Sequence, residues 1–136
     1  MRDFPRMKYH TRSPLVAIVD DDPSMRQAMA SLLAAYGFEV ELFSSAEEFL
    51  TSIHFHRTDC LVLDIRMPGM SGLQLQRELL TRRRHLPIIF VTAHGNKNQE
   101  QLAIRAGAVA FLSKPFSAHQ MLRVLASTLD MHEIDS

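Results

Sequence analysis

Short apolar runs alternate with amphipathic stretches along most of this chain, and the alternation predicts its elements. Leu15-Val-Ala-Ile-Val19 is apolar throughout, too short for a helix and suited to a buried strand. Asp22 then offers an N-cap, and Pro23 suits the first helical position. Met25, Ala28, Met29, Leu32, Leu33 and Tyr36 recur at helical spacing and predict one apolar face, closed by Gly37. Glu39–Phe43 alternates as a strand does. Ser45 and Glu48 read as a capping box, with Ala46, Phe49, Leu50 and Ile53 as the next apolar stripe. Cys60–Leu63 is a third strand, ending at Asp64. A proline-glycine loop, Met67-Pro-Gly-Met-Ser-Gly72, leads to a helix near Leu73–Arg83. Pro87–Val91 is the fourth strand, followed by Thr92 and a helix near Gln99–Ala106 that Gly107 closes. Val109–Leu112 is the fifth strand, and Leu122, Leu125 and Leu129 mark the last helix.

Strands alternating with helices imply an α/β fold, a doubly wound parallel sheet with helices on both faces. Residues 61–63 and 88–91 are apolar enough for burial on both sides. The domain is expected over 15–130, between a basic, proline-interrupted flexible tail at 1–14 and a frayed tail at 131–136.

Composition narrows the function classes. At 136 residues the chain suits one domain with a real core. Its 15 basic and 15 acidic side chains cancel, which argues against direct nucleic-acid binding or adhesion to an anionic membrane. The single cysteine, Cys60, excludes an internal disulfide framework and suits a cytoplasmic location; inside an apolar strand it reads as an inert core thiol. No apolar run approaches the roughly 18 residues of a membrane span. Arg2, Arg6, Lys8 and Arg12 have no apolar segment behind them, so the start does not read as a signal peptide.

Ligands of an open parallel sheet bind outside the carboxyl ends of its strands. Those ends carry Asp20-Asp21-Asp22, Asp64, Thr92 and Lys114. Asp22 is accounted for by the N-cap, whereas a strand end rarely needs Asp20 and Asp21. Crowded carboxylates repel unless a cation sits among them, and Mg²⁺ is a hard cation that takes one or two carboxylates plus a phosphate oxygen. A carboxylate also serves as a nucleophile toward phosphorus, and Lys114 and Thr92 supply the charge and hydroxyl that a phosphoryl group needs. These residues point to a Mg²⁺-dependent phosphoryl-acceptor site.

Four segments together resemble the response-regulator receiver domains of bacterial two-component systems: Val19-Asp-Asp-Asp22, Leu63-Asp-Ile-Arg-Met-Pro-Gly-Met-Ser-Gly72, Phe90-Val-Thr-Ala93 and Ala106-Gly-Ala-Val-Ala-Phe-Leu-Ser-Lys-Pro-Phe116. The helices and loops look closest to receivers that precede a LuxR-type helix-turn-helix domain. The resemblance implies a flavodoxin-like five-stranded sheet, order 2-1-3-4-5, with five helices. It implies Asp64 as phospho-acceptor, and Asp20, Asp21, Asp64 and the Arg66 backbone carbonyl as ligands of Mg²⁺ or Mn²⁺. Thr92 matches the switch hydroxyl and Lys114 the lysine that pairs with the phosphoryl group, followed by a cis bond to Pro115. Phe111 matches a position where many receivers carry a switch tyrosine; phenylalanine can still change rotamer but has no hydroxyl to bond, and it reads equally as a core aromatic. The Arg66 and His94 side chains match positions that tune dephosphorylation, and either is also readable as a solvated side chain. The implied partners are a histidine kinase or phosphotransfer protein and a homodimer or output partner at residues 97–129, with self-catalysed phosphorylation and dephosphorylation.

Two other classes are weighed beside this. Asp20-x-Asp22 faintly resembles the start of haloacid-dehalogenase-type phosphatases, in which Asp20 would be the nucleophile. A flavodoxin-like cofactor carrier would need a phosphate-cradling Ser/Thr-Gly loop after the first strand, and none is present there. The run Arg82-Arg83-Arg84 reads as a solvated helix end favoured by the helix dipole. The histidines lack a metal-binding spacing, and Gly69 and Gly72 read as turn-formers.

Overall fold

The computed structural model describes residues 13–129. Five parallel strands form one sheet in the order β2-β1-β3-β4-β5. They are β1 (Leu15–Val19), β2 (Glu39–Phe43), β3 (Cys60–Asp64), β4 (Ile88–Thr92) and β5 (Ala110–Ser113). The helices are α1 (Pro23–Ala35), α2 (Ala46–Leu50), α3 (Gly72–Thr81), α4 (Lys97–Arg105) and α5 (Ala118–Thr128). The three inner strands are buried throughout, as strands covered on both faces must be.

Strand periodicity sends alternate residues to two separate cores. Val16, Ile18, Cys60, Val62, Ile89 and Val91 pack with Met29 and Leu33 of α1 and Met121 and Leu125 of α5. Ala17, Val19, Leu61, Leu63 and Phe90 pack on the other side with Phe49 of α2, Leu75 and Leu79 of α3 and Ala103 of α4. Burial pushes the Cys60 thiol up to about 12, so it stays protonated and inert.

The helices start where short polar side chains satisfy their first amides. Asp22 accepts from Ser24 N at 2.9 Å. Ser71 with Gln74, and Ser117 with Gln120, form reciprocal capping boxes. The pair at Ser45 differs from its sequence reading. Ser45 Oγ does accept from Glu48 N at 3.1 Å, but the Glu48 carboxylate reaches past Ser45 to Ser44 N at 2.6 Å.

Other expectations need correction. α2 ends at Leu50, and Ile53 is 91% exposed instead of continuing its stripe. The chain turns at Ser52, whose Oγ accepts from His54 N, and enters a short 3-10 turn over Phe55–Arg57. Phe55 thereby takes the core position expected of Ile53, its ring 5.4 Å from Phe49. On α1 the apolar face is narrower than predicted, since Ala28 and Tyr36 are exposed. Nor is the arginine run simply a solvated helix end. α3 stops at Thr81, and Arg84 Nη2 donates to the carbonyls of Phe55 (3.1 Å) and Thr58 (2.8 Å), with its guanidinium over the Phe55 ring. Arg82 does behave as a surface residue, paired with Glu78 one turn back.

Residues 1–12 of the expected N-terminal tail, and all of the tail at 131–136, lie outside the described residues. Pro14 is buried, and its carbonyl accepts from Glu39 N at 2.9 Å. Among the described residues no helix is long and apolar enough to cross a membrane.

Candidate functional site

The carboxyl ends of β1, β3, β4 and β5 converge because the sheet order places β1 beside β3 and β4 beside β5. Asp20 follows β1 directly, Asp64 ends β3, Thr92 ends β4, and Lys114 follows β5. Asp20, Asp21 and Asp64 offer oxygens that all lie within 4.8 Å of one another. Asp20 and Asp64 are buried and Asp21 is exposed, so the cluster opens to solvent on one side.

Charge is only partly balanced there. Lys114 Nζ lies 2.9 Å from Asp20 Oδ2 and 3.8 Å from Asp64 Oδ2, among the described residues one ammonium for three carboxylates. The Asp64 carboxyl is pushed up to about 6, first by burial and then by the charge of Asp20, with Lys114 pulling the other way. Asp64 Oδ1 also accepts from Arg66 N at 3.3 Å. Three hard oxygen donors in one patch, underserved by cations, suit a small divalent cation.

Asp20 is held more tightly than its neighbours. Its Oδ1 accepts from Asp22 N at 2.9 Å, and its carbonyl accepts from Arg26 Nη1 at 2.7 Å. Sequence reading missed Arg26, because a helical arginine carries no local sign that it turns back to a strand end. Glu47 was missed for the same reason: its Oε2 accepts from Met70 N, 23 positions away, at 3.0 Å.

Thr92 is buried, and its Oγ1 accepts from His94 N at 3.3 Å. Lys114 N donates to Thr92 O at 2.8 Å, which ties the lysine's backbone to the end of β4. The Lys114–Pro115 bond is cis. Phe111 is half-buried, its ring 6.2 Å from Phe90. A Cβ on Gly95 would come within 2.5 Å of Thr92 Cγ2 and 2.9 Å of the Phe111 ring, so Thr92, Gly95 and Phe111 form one packed unit. The side chains of Arg66 and His94 are exposed at the rim. Asp22 serves as N-cap.

A family model described as "Response regulator receiver domain" matches residues 16–126. Nodulation protein W of Bradyrhizobium diazoefficiens is 47% identical over 115 residues, covering 84% of this chain and 51% of that protein. Response regulator protein TodT of Pseudomonas putida is 41% identical over 120 residues, covering 88% of this chain and 53% of that protein. The chain thus spans about half the length of these curated relatives. Among solved structures, FixJ-N superposes with a TM-score of 0.78 at 35% identity, covering 88% of this chain and 95% of that one.

Proposed function

Because the chain belongs to the response regulator receiver domain family of two-component systems, we propose that it accepts a phosphoryl group on Asp64 from a histidine kinase or phosphotransfer protein. The observation that carries this reading is the convergence of Asp20, Asp21 and Asp64 within 4.8 Å, with Lys114 beside them.

In the transfer, an Asp64 carboxylate oxygen attacks the phosphorus. A phosphorus–oxygen bond forms as the bond to the donor breaks, and the electron pair leaves with the donor's nitrogen. Asp20 is the more firmly held carboxylate, with the Asp22 amide and Lys114 each 2.9 Å from one of its oxygens, against 3.3 Å from Arg66 N and 3.8 Å from Lys114 Nζ at Asp64. Asp20, Asp21, Asp64 and the Arg66 carbonyl would hold Mg²⁺ or Mn²⁺. Bound there, the cation would neutralise carboxylates and phosphoryl oxygens during transfer. Lys114 then pairs with one new oxygen, and Thr92 donates its hydroxyl proton to another.

Those two contacts exist only after phosphorylation, so they bias a two-state equilibrium. Thr92 packs with Gly95 and Phe111, which links the site to the region 97–129. That face offers exposed Leu102, Ile104 and Val109, and a groove of about 550 Å³ lined by Val109, Leu112, His119 and Val124. It is the proposed surface for a homodimer or an output partner. The domain acts as a phospho-acceptor switch in the cytoplasm, with no membrane or direct nucleic-acid contact of its own.

Incubation with acetyl phosphate tests the reading by intact-protein mass. The expected result is a one-phosphoryl increase that needs Mg²⁺, vanishes with EDTA and is absent from Asp64→Ala. Undiminished labelling of folded Asp64→Ala would sink it.

A further inference from the structure

We infer that Glu47, on α2, is a positioning residue that holds the β3–α3 loop and, through it, the cation-binding edge of the site; this rests on the proposed function above. The loop, residues 65–71, includes Arg66, whose carbonyl is the proposed backbone ligand. Most of its restraints are local. Gly72 N donates to Ile65 O at 2.8 Å, Arg66 N to Asp64 Oδ1 at 3.3 Å, and Ser71 caps α3. The bond from Met70 N to Glu47 Oε2, at 3.0 Å, instead ties the loop to another helix.

Two features mark this as a built contact. Gly69 sits at φ +77°, and a Cβ there would lie 2.9 Å from Glu47 Oε2, so the carboxylate occupies space that a side chain would claim. Glu47 itself stands on a seated element, since its neighbours Ala46 and Phe49 are fully buried. Met67 and Met70 pack partly buried against the same core, so the loop is pinned from below by apolar contact and from α2 by a charge-assisted hydrogen bond. Glu47 contributes no ligand atom. It acts by limiting where the Arg66 carbonyl can go, as groups behind metal ligands do.

Mg²⁺ titration of the full chain, followed by backbone amide NMR, tests this with Glu47→Ala and Glu47→Gln. Glu47→Ala is expected to weaken Mg²⁺ binding about 3- to 10-fold, and Glu47→Gln, which keeps a carbonyl acceptor, to stay within about 2-fold of the parent. The Met70 amide should exchange faster in Glu47→Ala while sheet amides keep their protection. Unchanged affinity in folded Glu47→Ala overturns the inference, and so does Glu47→Gln binding as weakly as Glu47→Ala, which would assign the effect to charge alone. Gly69→Ala is the second variant; its methyl displaces the carboxylate, so parent-like affinity there also counts against the role. Failure of the parent protein to bind Mg²⁺ would remove the proposed function itself, and this inference with it.

Discussion

Without added metal at neutral pH, Asp64→Asn is expected to melt above the parent protein. Burial and the neighbouring Asp20 raise the Asp64 carboxyl from 3.8 to about 6, so the folded chain is penalised for ionising it. Between those two values the folded state holds a proton that the unfolded state has released. Stability therefore falls as pH rises across that window and is flat above it. Asparagine carries no such proton, so its advantage is full above pH 6 and gone below about pH 4. Allowing for water reaching the open side of the cluster, the gain is about 1–2 kcal/mol, or roughly 5 °C in Tm. Thermal melts of both proteins in EDTA from pH 4 to 8 check this. An Asp64→Asn variant that melted below the parent at neutral pH, with the deficit closing toward acid pH, would mean that Lys114, rather than desolvation and Asp20, governs the carboxylate.

Gly72→Ala should cost about 2–3 kcal/mol, near the upper end for overpacking, although alanine is the better helix former by about 1 kcal/mol. Gly72 is the first residue of α3, and a Cβ there would lie 2.3 Å from the Asp64 carbonyl oxygen and 3.0 Å from Ile65 Cα. Both obstacles are backbone atoms, so no flexible side-chain end can move aside. The backbone that must shift is that of Asp64 itself, so phosphoryl acceptance should slow along with the loss of stability. Denaturant unfolding measures the first effect and acetyl phosphate kinetics the second. A Gly72→Ala variant more stable than the parent would mean that helix propensity wins and the close approach is relieved cheaply.

Much of this was legible in local pattern. The apolar runs of β1, β3 and β4 are buried on both faces, and nothing but strand length and composition was needed to find them. The convergence of Asp20, Asp64, Thr92 and Lys114 followed from one rule about strand ends. What local pattern could not show was where the chain leaves a helix. Ile53 continues the α2 stripe in spacing, yet Phe55 fills the core once the chain turns at Ser52. Arg84 resembled its neighbours until a contact 26 to 29 positions away gave it carbonyls to bond. Glu47 and Arg26 were invisible for the same reason, because their partners are backbone groups, which have no sequence signature. By contrast, Ser71-x-x-Gln74 and Ser117-x-x-Gln120 carry the capping-box pattern in the sequence itself.

Asp64, and not Asp20, takes the phosphoryl group in the proposed transfer. The most direct test is to reduce the acyl phosphate with borohydride after acetyl phosphate treatment with Mg²⁺, then locate the product by peptide mass spectrometry. The predicted result is homoserine at position 64 with aspartate intact at 20 and 21. Homoserine at position 20 with Asp64 unmodified would contradict it and favour the phosphatase-like chemistry.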